Sequence, residues 1–350
     1  MSNQESANSE TAKPEAADSD NRAPVLSVRR LSTCFRTDRG EVTAVDDVSF
    51  ELSAGETLGI VGESGCGKSV TSKSIMRLLP KRNSFLKPQS EIMFDGQDLA
   101  KLSDREMRAI RGNRIAMIFQ EPMTSLNPVF TVGWQLDEAL KYHTKLNRTE
   151  RWDRVIEMLD TVELPNPHRR ALEYPHQLSG GMRQRVMIAM ALCCDPEVLI
   201  ADEPTTALDV TIQSQILRLM DNLKKKLNTA IILITHDLGV IAQSADRVLV
   251  MYAGRVVEMG SVHDIFHNPK HPYTEALLKS IPKAGPKNHG QKLPTIDGIV
   301  PSLYDLPIGC RFYDRCDHRQ DLCMGTEPKL EQHVNDRTVR CHYPVGGEDS

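Results

Sequence analysis

Gly62-Glu63-Ser64-Gly65-Cys66-Gly67-Lys68-Ser69 is the stretch around which this chain is organised, and it reads G-x-x-x-x-G-K-S. The apolar run at 57–61 precedes it and predicts a buried strand, and the helix formers at 68–79 follow it and stop before Pro80. A strand, a glycine-rich turn and a helix are the context in which this motif binds nucleotide phosphates, because successive backbone N–H groups and the positive helix end converge on one anion. In such a loop Lys68 reaches the β- and γ-phosphates and the Ser69 hydroxyl ligates Mg²⁺.

Length and composition indicate a soluble globular chain of about two domains. The chain has 350 residues, of which 40% are apolar and 26% charged, and its formal net charge is −4, so we expect no nucleic-acid partner. No apolar run approaches the ~20 residues of a bilayer span, and the polar residues 1–21 lack the apolar core of a secretory signal. We therefore expect a cytosolic chain, in which eight cysteines are thiols or metal ligands rather than disulfides.

The order of apolar runs predicts an α/β fold in three parts. Residues 1–24 are polar and predict a disordered tail. Residues 25–265 predict a nucleotide-binding domain with a mostly parallel core sheet, an antiparallel N-terminal part and a helical insertion at about 121–177. Residues 266–350, here called the C-terminal module, are punctuated by proline and end in four cysteines. The predicted strands are 25–35, 42–52, 57–61, 91–94, 115–119, 198–202, 230–235, 247–252 and 255–258, and the longer predicted helices are 133–146, 151–162, 183–192 and 211–227.

Two acidic residues, 134 and 135 residues after the phosphate-loop lysine, end an apolar strand. Asp202 is placed to hold Mg²⁺ through water, and Glu203 to accept a proton from an attacking water. The alternative is an acidic strand end without a catalytic role, and the presence of a phosphate loop in the same chain makes this alternative less favoured.

A second glycine-rich turn, Leu178-Ser179-Gly180-Gly181-Met182, precedes another helical run. Ser179 is a candidate helix cap, and Gly180 and Gly181 leave the first helical amides accessible to an anion. Alone, such a glycine pair is more often a simple turn.

The phosphate loop, the Leu178–Met182 turn and Asp202-Glu203 follow one another along the chain in the order found in the ATP-binding-cassette (ABC) ATPases. The chain closely resembles this family over about residues 25–265. The resemblance implies that two cassettes clamp two ATP molecules head to tail, each between one phosphate loop and the other chain's Ser179–Gly181 signature. It implies that Gln120 contacts Mg²⁺ and the attacking water, that His236 contacts the γ-phosphate, and that Asp209 couples the two sites. It also implies that an aromatic residue, here Phe35 or a neighbour, stacks on adenine, although Phe35 is equally well explained as a strand-end core residue.

Three further stretches resemble the D-type ATPase subunit of dipeptide and oligopeptide importers. They are Gln120-Glu121-Pro122-Met123-Thr124-Ser125-Leu126-Asn127-Pro128, Ala201-Asp202-Glu203-Pro204-Thr205-Thr206-Ala207-Leu208-Asp209 and His271-Pro272-Tyr273-Thr274. This resemblance implies a second, homologous ATPase subunit, two transmembrane permease subunits, an extracytoplasmic peptide-binding protein and a peripheral place on the cytoplasmic face of the inner membrane. Cys66 departs from the family's small residue, and a thiol beside a helix N-terminus predicts unusual reactivity without loss of ATP binding.

The four C-terminal cysteines, Cys310, Cys316, Cys323 and Cys341, are separated by five, six and seventeen residues. This spacing lacks the short C-x-x-C pairs that are common in zinc sites, and it suits an iron–sulfur cluster at least as well. The importer resemblance implies a 4Fe–4S cluster, with zinc and plain reduced thiols as alternatives.

Other candidates carry less weight. His263, His267 and His271 have helical spacing, but Pro269 interrupts the run and favours exposed histidines over a metal site. Cys193 and Cys194 are predicted core residues, and Lys224-Lys225-Lys226 a solvated helix face.

Two alternatives to a peptide importer remain. A motor of a nickel or other small-solute importer has nearly the same sequence features, because motors scarcely touch their cargo. A non-transport ABC ATPase of DNA repair or translation is disfavoured, because such chains usually carry two cassettes or a long coiled-coil insert.

Overall fold

The computed structural model describes residues 23–119, 125–205, 209–281, 295–334 and 336–346. The predicted tail at 1–24 therefore lies almost wholly outside the described residues. The strands in chain order are β1 (Leu26–Thr37), β2 (Gly40–Leu52), β3 (Thr57–Val61), β4 (Ser84–Leu86), β5 (Glu91–Phe94), β6 (Gln97–Asp98), β7 (Ile115–Ile118), β8 (Val198–Asp202), β9 (Ala230–Ile234), β10 (Arg247–Tyr252), β11 (Arg255–Ser261), β12 (Glu331–Gln332) and β13 (Thr338–Val339). The helices are α1 (Lys68–Ile75), α2 (Asp104–Ile110), α3 (Val132–His143), α4 (Arg148–Thr161), α5 (Pro167–Ala171), α6 (Gly180–Leu192), α7 (Val210–Leu227), α8 (Leu238–Ser244), α9 (Val262–His267), α10 (Pro272–Lys279) and α11 (Asp321–Gly325).

An antiparallel sheet forms the N-terminal part, as predicted. Its order is β2-β1-β5-β6, and β4 pairs with the far end of β1. The long β1–β2 pair carries register shifts between Val28 and Cys34, so the two strands bend as they pass over the core.

The core sheet has the order β12-β13-β11-β10-β3-β9-β8-β7. Its central strands β10, β3, β9, β8 and β7 are parallel, and β3, β8 and β9 are buried along their whole length. Such continuous apolar runs are typical of parallel strands covered on both faces. The loop after β3 and the acids after β8 therefore lie at the same, carboxyl edge of the sheet, where open α/β sheets bind ligands.

Helices α3 to α5 lie within the predicted helical insertion at about 121–177. Together with α6 they pack on the sheet through apolar side chains such as Leu136, Val155 and Val186, each fully buried. α4 begins with a capping box, in which Asn147 accepts from the backbone of residues 149 and 150 and Glu150 accepts from Asn147 N–H. In the described ranges, none of the helices combines the length and apolarity that a bilayer crossing requires.

The last two strands belong to the C-terminal module but extend the core sheet. β13 pairs antiparallel with β11, and Glu258 of β11 is fully buried and accepts hydrogen bonds from Lys270 N–H, His271 N–H and the Arg337 guanidinium. A buried carboxylate is tolerated here because its oxygens are paired by these charged and backbone donors. The C-terminal module is thus anchored on the nucleotide-binding domain, and the division at 265/266 stays a prediction.

Candidate nucleotide site

The phosphate loop adopts a backbone that depends on its glycines. Gly62, Gly65 and Gly67 have φ of +150°, +79° and +104°, a region that side chains disfavour. A Cβ on Gly62 would lie 2.2 Å from Met251 O, so β10 approaches too closely for any other residue. Ser64 and Gly65 lie exposed at the tip, and α1 begins directly after Gly67.

Lys68 is folded across its own loop. Its side chain is buried, and Nζ donates to Gly62 O at 2.7 Å and to Glu63 O at 3.0 Å. The ammonium is thereby held over the turn at the end of the core sheet, where the motif places the phosphates.

Ser69 and Asp202 come together although they lie 133 residues apart. Ser69 Oγ donates to Asp202 Oδ1 at 2.9 Å, and Asp202 is 2% exposed. Burial raises the pKa of the Asp202 carboxyl, an effect that the Ser69 hydrogen bond partly offsets. A hydroxyl and a desolvated carboxylate are oxygen ligands of the kind that Mg²⁺ prefers, so the two residues fit a magnesium ion.

Glu203 and His236 lie beside this pair. Glu203 has φ of +50°, and its backbone N–H donates to Ile234 O at 2.8 Å, which fixes the turn at the end of β8. Its side chain is 15% exposed, and Oε1 lies 3.3 Å from Nδ1 of the exposed His236. A carboxylate and an imidazole in hydrogen-bond contact at the rim of the site form a pair able to accept and orient a proton.

Ser179 caps α6, as predicted, and the helix begins at Gly180, three residues before the predicted start. Ser179 Oγ accepts from Met182 N–H at 3.4 Å, and Ser179 and Gly180 are exposed. A Cβ on Gly181 would lie 3.0 Å from Ile212 Cγ2, so α6 packs closely on the start of α7, which Asp209 caps through Ile212 N–H at 2.9 Å. The signature and Asp209 thus share one surface at the beginnings of two helices.

Two predicted nucleotide contacts stay predictions. Gln120 lies outside the described residues. Phe35 is half-buried on β1 and pairs with Val42 of β2. Two residues further along β2, the carbonyl of Ala44 lies close to Gly67 of the phosphate loop.

Three predictions about side-chain environment were wrong. Cys66 is fully buried, and burial raises the pKa of its thiol, both of which run against the expected reactivity. His271 is 1% exposed rather than solvated, because its Nδ1 caps α10 by accepting from Tyr273 N–H at 3.0 Å. Lys224 is not part of a solvated face, since its Nζ donates to Thr57 Oγ1 at 3.0 Å and pairs with Asp246 at 3.2 Å.

The four C-terminal cysteines converge on one small pocket, which Phe312 and His271 also line. Burial, with a smaller contribution from the neighbouring thiols, raises the pKa of Cys310 to about 11 and the pKa of Cys341 to about 12. Among the described residues no group of His, Cys, Asp or Glu has the arrangement expected of a metal site. The structure therefore brings the predicted residues together without assigning them an ion.

Sequence reasoning missed two contacts of the phosphate loop. Tyr273 Oη accepts from Glu63 N–H at 2.9 Å, and Arg315 pairs with both Glu63 carboxylate oxygens, at 2.6 and 2.9 Å. The partners are 210 and 252 residues apart, and the only sequence signal was the His271-Pro272-Tyr273-Thr274 stretch.

Comparison with known proteins agrees with this geometry. Residues 45–206 match the family described as ABC transporter, and residues 257–323 match the oligopeptide/dipeptide transporter C-terminal region. The chain is 53% identical over 317 residues to the dipeptide transport ATP-binding protein DppD of Bacillus subtilis, covering 91% of this chain and 94% of that protein. This chain belongs to the ABC transporter family. It is an ATP-binding subunit of that family, and hence an ATPase coupled to transport.

Other relatives of this ABC transporter subunit point the same way. DppD of Escherichia coli is 49% identical over 321 residues, covering 92% of this chain and 97% of that protein. Among solved structures, the ATP-binding cassette MJ0796, described as dimeric in a post-hydrolysis state with ADP and Pi, is 28% identical with a TM-score of 0.60, covering 68% of this chain and 98% of that chain. The likewise 28% identical cbiO1 of Clostridium perfringens has a TM-score of 0.60 and covers 71% of this chain and 92% of its own. These neighbours confirm the ABC ATPase fold.

Proposed function

We propose that this ABC transporter subunit is the ATP-hydrolysing motor of an importer for dipeptides or oligopeptides. The observation that carries the proposal is the contact between Ser69 of the phosphate loop and Asp202, in a chain whose C-terminal region matches oligopeptide and dipeptide transporters. Relatives described as peptide-import or dipeptide-transport ATP-binding proteins, 49–53% identical to this chain, support the cargo class.

When ATP binds to the phosphate loop, Lys68 exchanges its hydrogen bonds to loop carbonyls for contacts to the phosphates. Lys68 Nζ lies 2.7 Å from a carbonyl of its own loop, so a small side-chain rotation turns it toward the β- and γ-phosphates while the loop N–H groups take up the remaining oxygens. Ser69 and Asp202 would hold Mg²⁺, and the ion would neutralise charge on the β- and γ-phosphate oxygens.

Glu203 is the residue that accepts the proton of the attacking water. Its side chain is only 15% exposed yet reaches the rim, where His236 contacts it at 3.3 Å. His236 would contact both the Glu203 carboxylate and the γ-phosphate, and Gln120 would contact Mg²⁺ and the attacking water. The barrier to hydrolysis would then be lowered by positioning of the reacting groups rather than by covalent chemistry.

The signature serves a second cassette. Ser179 and Gly180 lie exposed at the start of α6, where unpaired helical N–H groups attract an anion. We propose that they close over ATP held by a second, homologous ATPase subunit, with Asp209 on the same surface linking the two sites. The dimeric state of the MJ0796 cassette supports such a pairing.

The helical insertion carries an exposed apolar edge that suits membrane partners. Phe130 and Trp134 stack at 3.9 Å between ring centroids and are 36% and 41% exposed. A backbone hydrogen bond of 2.9 Å between Val132 N–H and Glu173 O holds the segment with the exposed Leu172 and Tyr174 beside the start of α3. Exposed aromatic residues clustered in this way mark interaction surfaces, here for two permease subunits on the cytoplasmic face of the inner membrane, with an extracytoplasmic binding protein delivering cargo.

We propose that Cys310, Cys316, Cys323 and Cys341 hold a 4Fe–4S cluster that stabilises the C-terminal module. Two features support the proposal: the four cysteines line one small pocket, and their spacing lacks the short C-x-x-C pairs that are common in zinc sites.

The cluster is tested by iron content and visible absorption after anaerobic purification. Cys316→Ser is expected to lose iron and to destabilise residues 290–350, whereas Cys194→Ser, a half-buried thiol outside the pocket, keeps both. An iron-free wild-type preparation contradicts the cluster.

The cargo is tested with the reconstituted transporter. Peptide-loaded binding protein is expected to stimulate ATP hydrolysis, and Lys68→Ala to abolish the stimulated activity. Stimulation by nickel or another small solute, with no response to any peptide, overturns the cargo assignment and leaves the ATPase standing.

A further inference from the structure

One peptide unit of the phosphate loop is held from both sides. Its carbonyl, Gly62 O, accepts from Lys68 Nζ at 2.7 Å, and its N–H, on Glu63, donates to Tyr273 Oη at 2.9 Å. Because C=O and N–H of a trans peptide point in opposite directions, Lys68 lies on one side of this unit and Tyr273 on the other. Tyr273 therefore fixes the orientation of the carbonyl that holds the phosphate-binding lysine.

The side chain of the same loop residue is held as firmly. Arg315 Nη1 and Nη2 contact the two oxygens of Glu63 at 2.6 and 2.9 Å, and Arg315 Nε donates to Asp297 O at 2.9 Å. The Arg315 side chain is 4% exposed, against 28% for Glu63, so the guanidinium is part of the packed interior. A bidentate pair of this kind is among the stronger and most directional hydrogen-bonded contacts in proteins.

An aromatic layer connects these anchors to the cysteine pocket. Tyr252, Tyr273 and Phe312 pack with ring centroids 4.7 to 5.4 Å apart, and all three are almost fully buried. Phe312 also lines the pocket of the four cysteines. One layer of rings therefore separates the cysteine pocket from the phosphate loop, and a rearrangement on one side is transmitted to the other because packed interiors hardly deform.

We propose that Tyr273 and Arg315 are positioning residues for ATP binding. They hold the Gly62–Glu63 peptide in the orientation that ATP requires, so that the affinity of the chain for ATP depends on the C-terminal module. The proposal rests on the proposed function, since it assumes that ATP binds at the phosphate loop. Loss of either anchor lets the peptide rotate, and part of the binding free energy is then spent on ordering it again.

The test is equilibrium binding of MgATP to the full-length chain. Tyr273→Phe removes one hydroxyl and keeps the aromatic layer, and it is expected to weaken binding about fivefold or more. Tyr142→Phe removes a hydroxyl from a residue that is 75% exposed on α3 and is expected to leave the dissociation constant unchanged.

Arginine variants provide the second arm. Arg315→Ala is expected to weaken MgATP binding at least as much as Tyr273→Phe, and Arg315→Lys to restore part of the affinity because it keeps the charge but not the bidentate geometry. Arg319→Ala is the matched control, since Arg319 donates to Asp314 O and lies over the Tyr313 ring within the C-terminal module. In the reconstituted transporter the KM for ATP should rise in Tyr273→Phe while kcat at saturating ATP changes by less than about twofold.

The outcomes separate the inference from the proposed function. If the wild type binds MgATP, Lys68→Ala does not, and Tyr273→Phe and both Arg315 variants bind like the wild type, the positioning role is overturned and the ATP site stands. If the wild type itself does not bind MgATP, the proposed function fails, and the inference fails with it.

Discussion

Glu203 occupies a left-handed backbone position directly after β8, and its side chain contacts His236. Glu203→Gln keeps the shape of the side chain but removes its ability to accept a proton. We expect MgATP binding to remain and ATP hydrolysis by the assembled transporter to fall about 10²-fold or more. The measurement is single-turnover hydrolysis beside nucleotide binding on the same preparation.

The control for Glu203 is a glutamate at the opposite end of β8. Glu197 is exposed, precedes β8 and pairs with Arg114, so Glu197→Gln should leave turnover unchanged. Normal hydrolysis by Glu203→Gln would remove this residue as the proton acceptor.

His271 links pH to stability. It is fully buried, and desolvation lowers its pKa to about 3 from an ordinary value of 6.5. Below about pH 6.5 the imidazole of His271 is protonated in the unfolded chain but stays neutral in the folded chain. The free energy of unfolding therefore decreases as the pH falls from 6.5 toward the folded pKa. Between pH 7 and pH 5 this residue should cost about 2 kcal/mol of unfolding free energy.

The measurement is denaturant unfolding of the wild type and His271→Asn at both pH values. Asn can still cap α10, so the variant is expected to lose less stability on acidification. Equal losses in both proteins would show that His271 does not set this pH dependence.

Single residues were predictable where the motif itself specifies the chemistry. Ser69 contacts Asp202 and Lys68 folds over its own loop, a geometry that the phosphate loop and an acidic strand end favour. The roles of these residues toward ATP and Mg²⁺ stay predictions. Cys66 and His271 were not, because burial depends on neighbours distant in sequence, such as Met251 against Gly62 and Glu258 against His271.

At the scale of elements, the helical insertion presents the stacked Phe130–Trp134 pair to solvent. If this edge docks the permease subunits, Trp134→Ala should reduce peptide-stimulated ATP hydrolysis by about tenfold while MgATP binding by the isolated chain stays the same. Tyr142→Ala, on the same helix and 75% exposed, is the matched control. Full stimulation with Trp134→Ala would place the docking surface elsewhere.

Element positions followed the hydrophobic pattern closely, whereas their ends did not. The helix predicted at 68–79 ends at Ile75, because Arg77 has φ of +49° and turns the chain before Pro80. The strand predicted at 255–258 continues to Ser261, where it pairs with β10 to the end. β12 and β13 were missed because each has two residues and depends on pairing with β11 and with each other, not on periodicity.

At the scale of the molecule, the C-terminal module and the phosphate loop form one packed unit. Tyr273 and Arg315 contact Glu63, and Arg311 pairs with Asp46 beside the same loop. No local pattern predicts contacts between residues more than 200 positions apart, so this part of the site required the fold. The pairing of two cassettes likewise lies beyond any local pattern, and only the family resemblance implies it.

The central claim is that the phosphate loop of this chain binds MgATP. The most direct measurement is isothermal titration of the full-length wild type and of Lys68→Ala with MgATP. We expect the wild type to bind one nucleotide per chain with saturable affinity and Lys68→Ala to lose this binding. Binding of equal strength by both proteins would contradict it.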